Sequence, residues 1–183
     1  PPQLAGIVVV LGAGRHAPDD SGACHHRFVR ISSKVDYAVR AALELSRRSP
    51  GRDSPPTKGD QLGEAQGIPT KYLENILAEL RRAGIVASRR GAEGGYWMAR
   101  NPAEVSVADI IRAVEGPLAD VRGEAPESLA YEGPAAPLEK VWVATRASLR
   151  RVLEHATLAD IEADSLPPDL LSLLEDPDAH LRR

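Results

Sequence analysis

Residues 69–84 read PTKYLENILAELRRAG, and residues 85–98 read IVASRRGAEGGYWM. In the first run Leu73, Ile76, Leu77 and Leu80 fall at i, i+3, i+4 and i+7, which is one apolar face of a helix. The opposite face carries Lys71, Glu74, Asn75 and Arg82. Gly84 follows, where a left-handed residue closes a helix at low cost. The second run holds two β-prone stretches, Ile85–Ser88 and Tyr96–Ala99, on either side of a basic, glycine-rich tip, Arg89–Gly95. The spacing predicts a recognition helix joined directly to a β-wing. A helix with a polar outer face beside a basic hairpin suits reading a DNA groove while gripping phosphates.

Working outward, Gly67-Ile68-Pro69 reads as a turn, and Lys58–Gln66 predicts a short helix before it, with Leu62 and Ala65 inward. That is helix–turn–helix spacing. SPGRDSPPTKG (49–59) is loop. An earlier helix starts near Ile31, where Ser32 and Ser33 can both cap and Ser33-x-x-Asp36 resembles a capping box. Val35, Val39, Ala42 and Leu43 give it a buried face, with Tyr37 and Leu45 alongside. After the wing, Asn101-Pro102 turns the chain. Ser106-x-x-Asp109 caps another helix, with Val107, Ile110, Ile111 and Val114 inward, and Glu115-Gly116-Pro117 ends it.

The expected fold is mainly α with a small β-hairpin: a winged helix-turn-helix domain over 29–116, a loop over 117–137, and a long C-terminal helix with a short one after it over 138–164. The long helix, Leu138–Ala156, places Leu138, Val141, Trp142, Thr145, Leu149, Val152 and Leu153 at 3–4 spacing. Nineteen residues span roughly 28 Å at 1.5 Å per residue, more than a small winged helix covers, so a partner surface is expected. Trp142 is expected there as packing rather than as a ligand platform. Thr157-x-x-Asp160 starts the short helix, and residues 165–183, rich in Pro, Asp and Leu, read as a loosely ordered tail.

The net charge of −3 does not announce a nucleic-acid binder, but its distribution is informative. Residues 29–116 hold 14 Lys/Arg against 11 Asp/Glu, and residues 117–183 hold 7 against 13. A mildly basic front and an acidic back fit a DNA-binding domain with a separate assembly segment. One cysteine, Cys24, excludes an intramolecular disulfide framework. No apolar run approaches the roughly 18 residues of a membrane span, and the cytoplasm is the expected compartment. No nucleophile–base pair is legible, so catalysis is not expected.

Residues 1–28 lack sustained periodicity and contain no methionine. IVVVLGAGRHA imitates a strand entering a dinucleotide fingerprint, but Pro18-Asp19-Asp20-Ser21-Gly22 breaks the helix that would face the pyrophosphate. Cys24-His25-His26 are adjacent and cannot all converge on one metal unaided. A disordered leader is expected, or a stretch upstream of a native start at Val29.

ISSKVDYAVRAALELS, IPTKYLENILAELRRAGIVASRRGAEGGYWMARNP and VADIIRAVEG together resemble the bacterial BadM/IscR/NsrR regulators, the Rrf-type winged-helix repressors. The resemblance runs from about Val29 to Gly116 and, more loosely, through 138–156. It implies a homodimeric transcription factor whose long helix crosses over the partner subunit, with each wing in a minor groove of a pseudo-palindromic operator. It also implies that Glu74 reads a base and that Arg90 is the wing arginine. Many relatives sense through an iron–sulfur cluster held by three cysteines in the loop after the Glu-Gly pair. Here the loop 117–137 has no cysteine. A variant ligand set uses an acidic residue and a histidine on the first helix; Asp36 and Arg40 stand there, and arginine does not ligate. The cluster-free members of the family are the better match, and no cofactor or metal is expected.

Residue chemistry assigns the rest. Carboxylates accept from cytosine amino groups and Asn pairs with adenine edges, which suits Glu74 and Asn75. Lys71, Arg82, Arg89 and Arg90 are expected on phosphates or in the groove. So are Ser33 and Lys34 at the first helix start. Tyr72 reads either as a phosphate contact or as core. Gly91, Gly94 and Gly95 are expected to shape the wing turn. The alternative function is a winged-helix interaction module that docks a partner enzyme without specific DNA binding.

Overall fold

The computed structural model describes residues 31–181. The readings of residues 1–28 therefore lie outside the described residues. The order is α1 (Ser33–Arg48), α2 (Gly59–Gln66), α3 (Thr70–Arg82), β1 (Val86–Arg89), β2 (Gly95–Met98), α4 (Val107–Glu115), α5 (Leu138–Leu153), α6 (Leu158–Glu162) and α7 (Pro168–Leu174). Short 3₁₀ turns interrupt the connecting segments. The strands form one antiparallel pair, Val86 opposite Met98 and Arg89 opposite Gly95. Among the described residues no helix is long and apolar enough to cross a membrane.

One core holds the first half together. α1 contributes Val35, Ala38, Ala41, Ala42 and Leu45, α3 contributes Leu73, Ile76, Leu77 and Leu80, and α4 contributes Ile110 and Ile111. The four α3 side chains are at most 1% exposed. At about 1.5–3 kcal/mol for each large apolar side chain, their burial dominates what fixes that helix. The wing closes the core with Val86 and Met98, both at most 2% exposed. Strand alternation then sends Ala87, Arg89 and Trp97 to the other face.

Several expectations shift. Ser32, not Ser33, caps α1: its Oγ accepts from the Val35 amide at 3.1 Å. Ser33 thereby becomes an exposed first-turn residue. Small alanines, rather than Val39 and Leu43, make the closest face of α1, because the neighbouring helices approach closely there. Ala65 is exposed rather than inward. The strands sit one residue away from their expected bounds. The tail is not irregular: Pro168 opens α7, where a missing amide proton costs nothing at a helix's first position.

α5 ends at Leu153, three residues earlier than expected. The reason is Thr157, whose hydroxyl and backbone close a capping box with Asp160 to start α6. Thr157 is extended and bridges Ser106, the cap of α4. Val107 donates to the Ala156 carbonyl at 2.9 Å and Leu158 to the Val105 carbonyl at 2.9 Å. Leu158 is fully buried in the main core, and Ser46 Oγ donates to Glu162 at 2.9 Å. α6 therefore belongs to the winged domain and not to a separate assembly unit with α5. Leu149, expected on a partner-facing stripe, is 2% exposed within the single chain, and Leu129 (7%) and Pro126 in the preceding segment are buried too. Arg146 adds an ion pair to Glu127.

Candidate nucleic-acid interface

The geometry of the α2–α3 pair is set from behind. Glu44, 7% exposed on α1, accepts from Arg47 Nη2 at 2.7 Å, from Arg48, and from Gln66 Nε2 at 2.9 Å. Burial pushes its carboxyl up, but the bonds from Arg48, Arg47 and Gln66 outweigh it and hold the group below the usual carboxylate range. Arg40 bonds both the Gln66 side chain and its carbonyl. The end of α2 is thus pinned to α1, and the turn through Gly67 (φ 62°) aims α3 outward.

α3 then presents Lys71, Tyr72, Glu74, Asn75 and Arg82 on its exposed side. Tyr72 is 40% exposed, with its ring edge-on to Tyr37 at a centroid distance of 5.7 Å, so it is both a packing residue and a surface one. Lys71, Glu74, Asn75, Arg82 and Arg90 have no intramolecular polar partner among the described residues. Their neighbours differ. Arg81 donates to Ser88 Oγ at 3.2 Å, tying α3 to β1, and Arg89 donates to the Glu93 carbonyl at 3.1 Å, bracing the wing tip. Arg90 and Gly91 remain at the exposed tip.

Lys34 was expected to touch the DNA backbone. Its ammonium group is engaged instead, bonding Glu79 on α3 and the Val114 carbonyl on α4, and is not a free cation. The local pattern S-x-K could not reveal this, because both partners lie more than forty residues away.

Two functional residues escaped the sequence reading. Ser49 and Thr57, inside what reads as plain loop, carry the wing. Thr57 and Tyr96 exchange backbone hydrogen bonds at 2.9 and 2.8 Å, and Met98 donates to the Ser49 carbonyl at 2.9 Å. Their hydroxyls sit 2.8 Å apart. The hairpin is therefore tied to the body by a bridge at Thr57 and a bond to Ser49, support that a two-stranded hairpin needs to be stable. The approach is close: a Cβ on Gly95 would lie 2.6 Å from the Thr57 oxygen, and one on Gly94 would lie 2.3 Å from the Arg89 oxygen. Glycine is required at both.

The family resemblance raises an iron–sulfur cluster, which takes thiolate ligands. The loop 117–137 contains no cysteine, and no three His, Cys, Asp or Glu side chains among the described residues are grouped to hold a metal. Arg40 bonds Asp36 at 3.2 Å and stacks over the Tyr37 ring, occupying the place of the variant ligand. The described donor set does not fit such a cluster.

A family model described as Rrf2, iron-dependent transcriptional regulator, matches residues 31–164. A Mycobacterium tuberculosis (strain H37Rv) protein bearing a provisional name as an HTH-type transcriptional regulator is 45% identical over 148 residues, 81% of this chain and 90% of its own. The solved structure of CymR, described as the global cysteine regulator of B. subtilis, superposes with a TM-score of 0.60 at 33% identity, covering 75% of this chain and 98% of that one. The T. potens IscR structure gives 0.56 at 32% identity, covering 84% and 93%. The winged helix-turn-helix geometry and these similarities agree: the chain is not an enzyme, and it belongs to the Rrf2 family of helix-turn-helix DNA-binding transcriptional regulators.

Proposed function

We propose that the chain is a homodimeric, sequence-specific regulator that represses transcription by occupying a pseudo-palindromic operator, and that it does so without an iron–sulfur cluster. The observation that carries this reading is selective freedom. Among the described residues, the side chains of Glu74, Asn75 and Lys71 on α3 and Arg90 on the wing have no internal polar partner, whereas Arg40, Arg47, Arg48, Arg81 and Arg89 are engaged within the chain. Side chains left unpaired on a rigid helix are available to base edges. Glu74 takes a cytosine amino group and Asn75 an adenine edge. Arg90 enters the minor groove, Lys71, Tyr72, Arg82 and Ser33 meet phosphates, and Arg89 does so with the guanidinium donors that its bond to Glu93 leaves free, with Gly91 giving the tip its turn.

Dimerisation rests on α5. Val141 is 53% exposed there, and Leu138, Trp142, Thr145 and Val152 remain partly exposed. Leu153 packs partly against the chain's own core, so it borders this face rather than centring it. The cluster-free reading is supported by protein contacts in the cysteine-free loop. Pro126 and Leu129 are buried there, Leu149 of α5 is buried too, and Glu127 pairs with Arg146 of α5.

Fluorescence anisotropy on promoter DNA tests the reading. Arg90→Ala should weaken binding and reduce the slope of log K against log salt by about 1, the counterions of one phosphate contact. Asn75→Ala should relax discrimination at one base pair by about 1–3 kcal/mol. If both variants bind as the parent does at every salt concentration, α3 and the wing are not the reader, and a partner-docking module becomes the better reading.

A further inference from the structure

We propose that Lys34 is a positioning residue for DNA recognition: its ammonium group locks the recognition helix to the end of α4, where the chain departs towards α5. The proposal rests on the reading of α3 as the DNA reader.

Three elements meet at one nitrogen. Lys34 Nζ, on α1, lies 2.9 Å from Glu79 Oε1 and 2.8 Å from Glu79 Oε2, on α3. The same nitrogen donates to the Val114 carbonyl at 2.6 Å, in the last turn of α4. A cation suits that position, because the carbonyl end of a helix carries partial negative charge. Ser32 adds a second tie beside the first. Its Oγ accepts from the Val35 amide at 3.1 Å and donates to Glu115 Oε1. Glu79 Oε2 and Glu115 Oε2 are buried without a hydrogen-bond donor. For Glu79, the Lys34 charge is the ion-pair partner in contact with it. Removing that charge leaves a part-buried carboxylate uncompensated, which forces Glu79 to move.

The movement matters because of where Glu79 stands. It follows Asn75 by four residues, so the two share one flank of α3. Lys34, Asn75, Glu79 and Arg82 line a single cleft of about 390 Å³. Glu79 cannot swing outward without disturbing the side chains that face DNA. On the other side, Gly116 (φ 94°) directly follows Glu115 and begins the excursion to α5. Lys34 thus joins the part that reads to the part that leaves, with its ammonium group engaged by both.

The test uses the full chain, a labelled promoter duplex and an unrelated duplex of equal length, titrated at several salt concentrations, with thermal unfolding alongside. The variants are Lys34→Met, Glu79→Gln and the pair. Lys34→Met should weaken promoter binding by roughly 3- to 30-fold, the range of mutations that act through a packed network. The ratio of promoter to unrelated binding should fall by a similar factor. The salt slope should not change, because no phosphate counterion is displaced. The pair should be no worse than Lys34→Met alone, since the two residues act as one unit. A slope lower by about 1 would make Lys34 a phosphate contact and overturn the proposal. So would additive losses, or a lowered melting temperature with an unchanged binding ratio, which mark a merely structural residue. If Lys34→Met does not fold, Glu79→Gln, which keeps the side-chain shape, must lower the ratio at constant slope or the proposal fails. Asn75→Ala is measured in parallel. If it leaves discrimination intact, the reading of α3 fails; if it relaxes discrimination while the Lys34 and Glu79 variants do not, only the present proposal fails.

Discussion

Gly95→Ala isolates the contact that holds the wing. The added Cβ would lie 2.6 Å from the Thr57 oxygen, 2.9 Å from the Thr57 carbonyl carbon and 3.1 Å from Pro56 Cβ. The obstacle is backbone, and it cannot retreat freely. The Thr57 oxygen accepts from the Tyr96 amide at 2.8 Å, and the Thr57 amide donates to the Tyr96 oxygen at 2.9 Å. Opening the approach breaks both bonds, at about 0.5–1.5 kcal/mol each. The φ of 157° adds conformational strain for a residue with a side chain. A loss of about 2 kcal/mol lowers the melting temperature of a domain this size by about 4–8 °C. Binding should suffer separately: a detached wing no longer holds Arg90, so the salt slope should fall as it does in Arg90→Ala. Gly51→Ala is the control, in the loop that carries Thr57, because a Cβ there meets nothing within 4 Å. Circular dichroism melts and anisotropy titrations read both effects. If Gly95→Ala melts within about 1 °C of the parent and keeps its salt slope, Thr57 does not support the wing and the reasoning is wrong.

Leu149→Ala should cost about 2–5 kcal/mol of chain stability in urea titrations, as for other deeply buried leucines. Val141→Glu, at a position 53% exposed in the single chain, should change chain stability by no more than about 0.5 kcal/mol. It should nevertheless shift the sedimentation profile to monomer, and a dimer that persists at micromolar concentration would contradict the α5 interface. Glu44 has a lowered pKa, so its charged form contributes stability above the ordinary value of 4.5, and that contribution disappears as pH falls through the folded-state value. Glu44→Gln should therefore melt below the parent at pH 7, and the gap should close under acid; a gap that widens below pH 4.5 would refute the sign. Protein purified without oxygen should be colourless, and stoichiometric iron that follows it through gel filtration would overturn the cluster-free reading.

What the sequence made legible was what short-range periodicity encodes. The α3 face, the Gly84 stop, the Ser106 and Thr157 capping boxes and the basic wing all depend on residues a few positions apart. The errors have the same origin. Ser32 and Ser33 are equivalent by spacing, and only the position of Glu115, far along the chain, favours the former. The stripe Leu149, Val152, Leu153, Ala156 continues a helical period past the end of α5, and what stops it is the demand of the next cap. Leu149 reads as interface because an apolar residue does not say which surface buries it; Pro126 and Leu129 had already done so within the chain. Lys34, Thr57 and Ser49 gain their roles from partners that no window of sequence contains. α7 did leave a signal, Pro167-Pro168 before four leucines, which composition alone obscured.

The return of the chain at Ala156–Leu158 has a consequence for how such proteins diversify. Residues 117–155 leave from one end of α4 and come back to the other, where Val105, Val107 and Leu158 stitch them down. The two anchor points are separated by little more than the length of a nine-residue helix, about 14 Å. Between fixed anchors, doubling a flexible connection costs only about 0.6 kcal/mol of closure entropy. An excursion of another length between these anchors is then expected to leave the fold of the body intact where the packing of Leu118 and Leu153 on the core is kept. Grafting a cysteine-bearing segment between Leu118 and Leu153 is a practical route to giving this scaffold a new input.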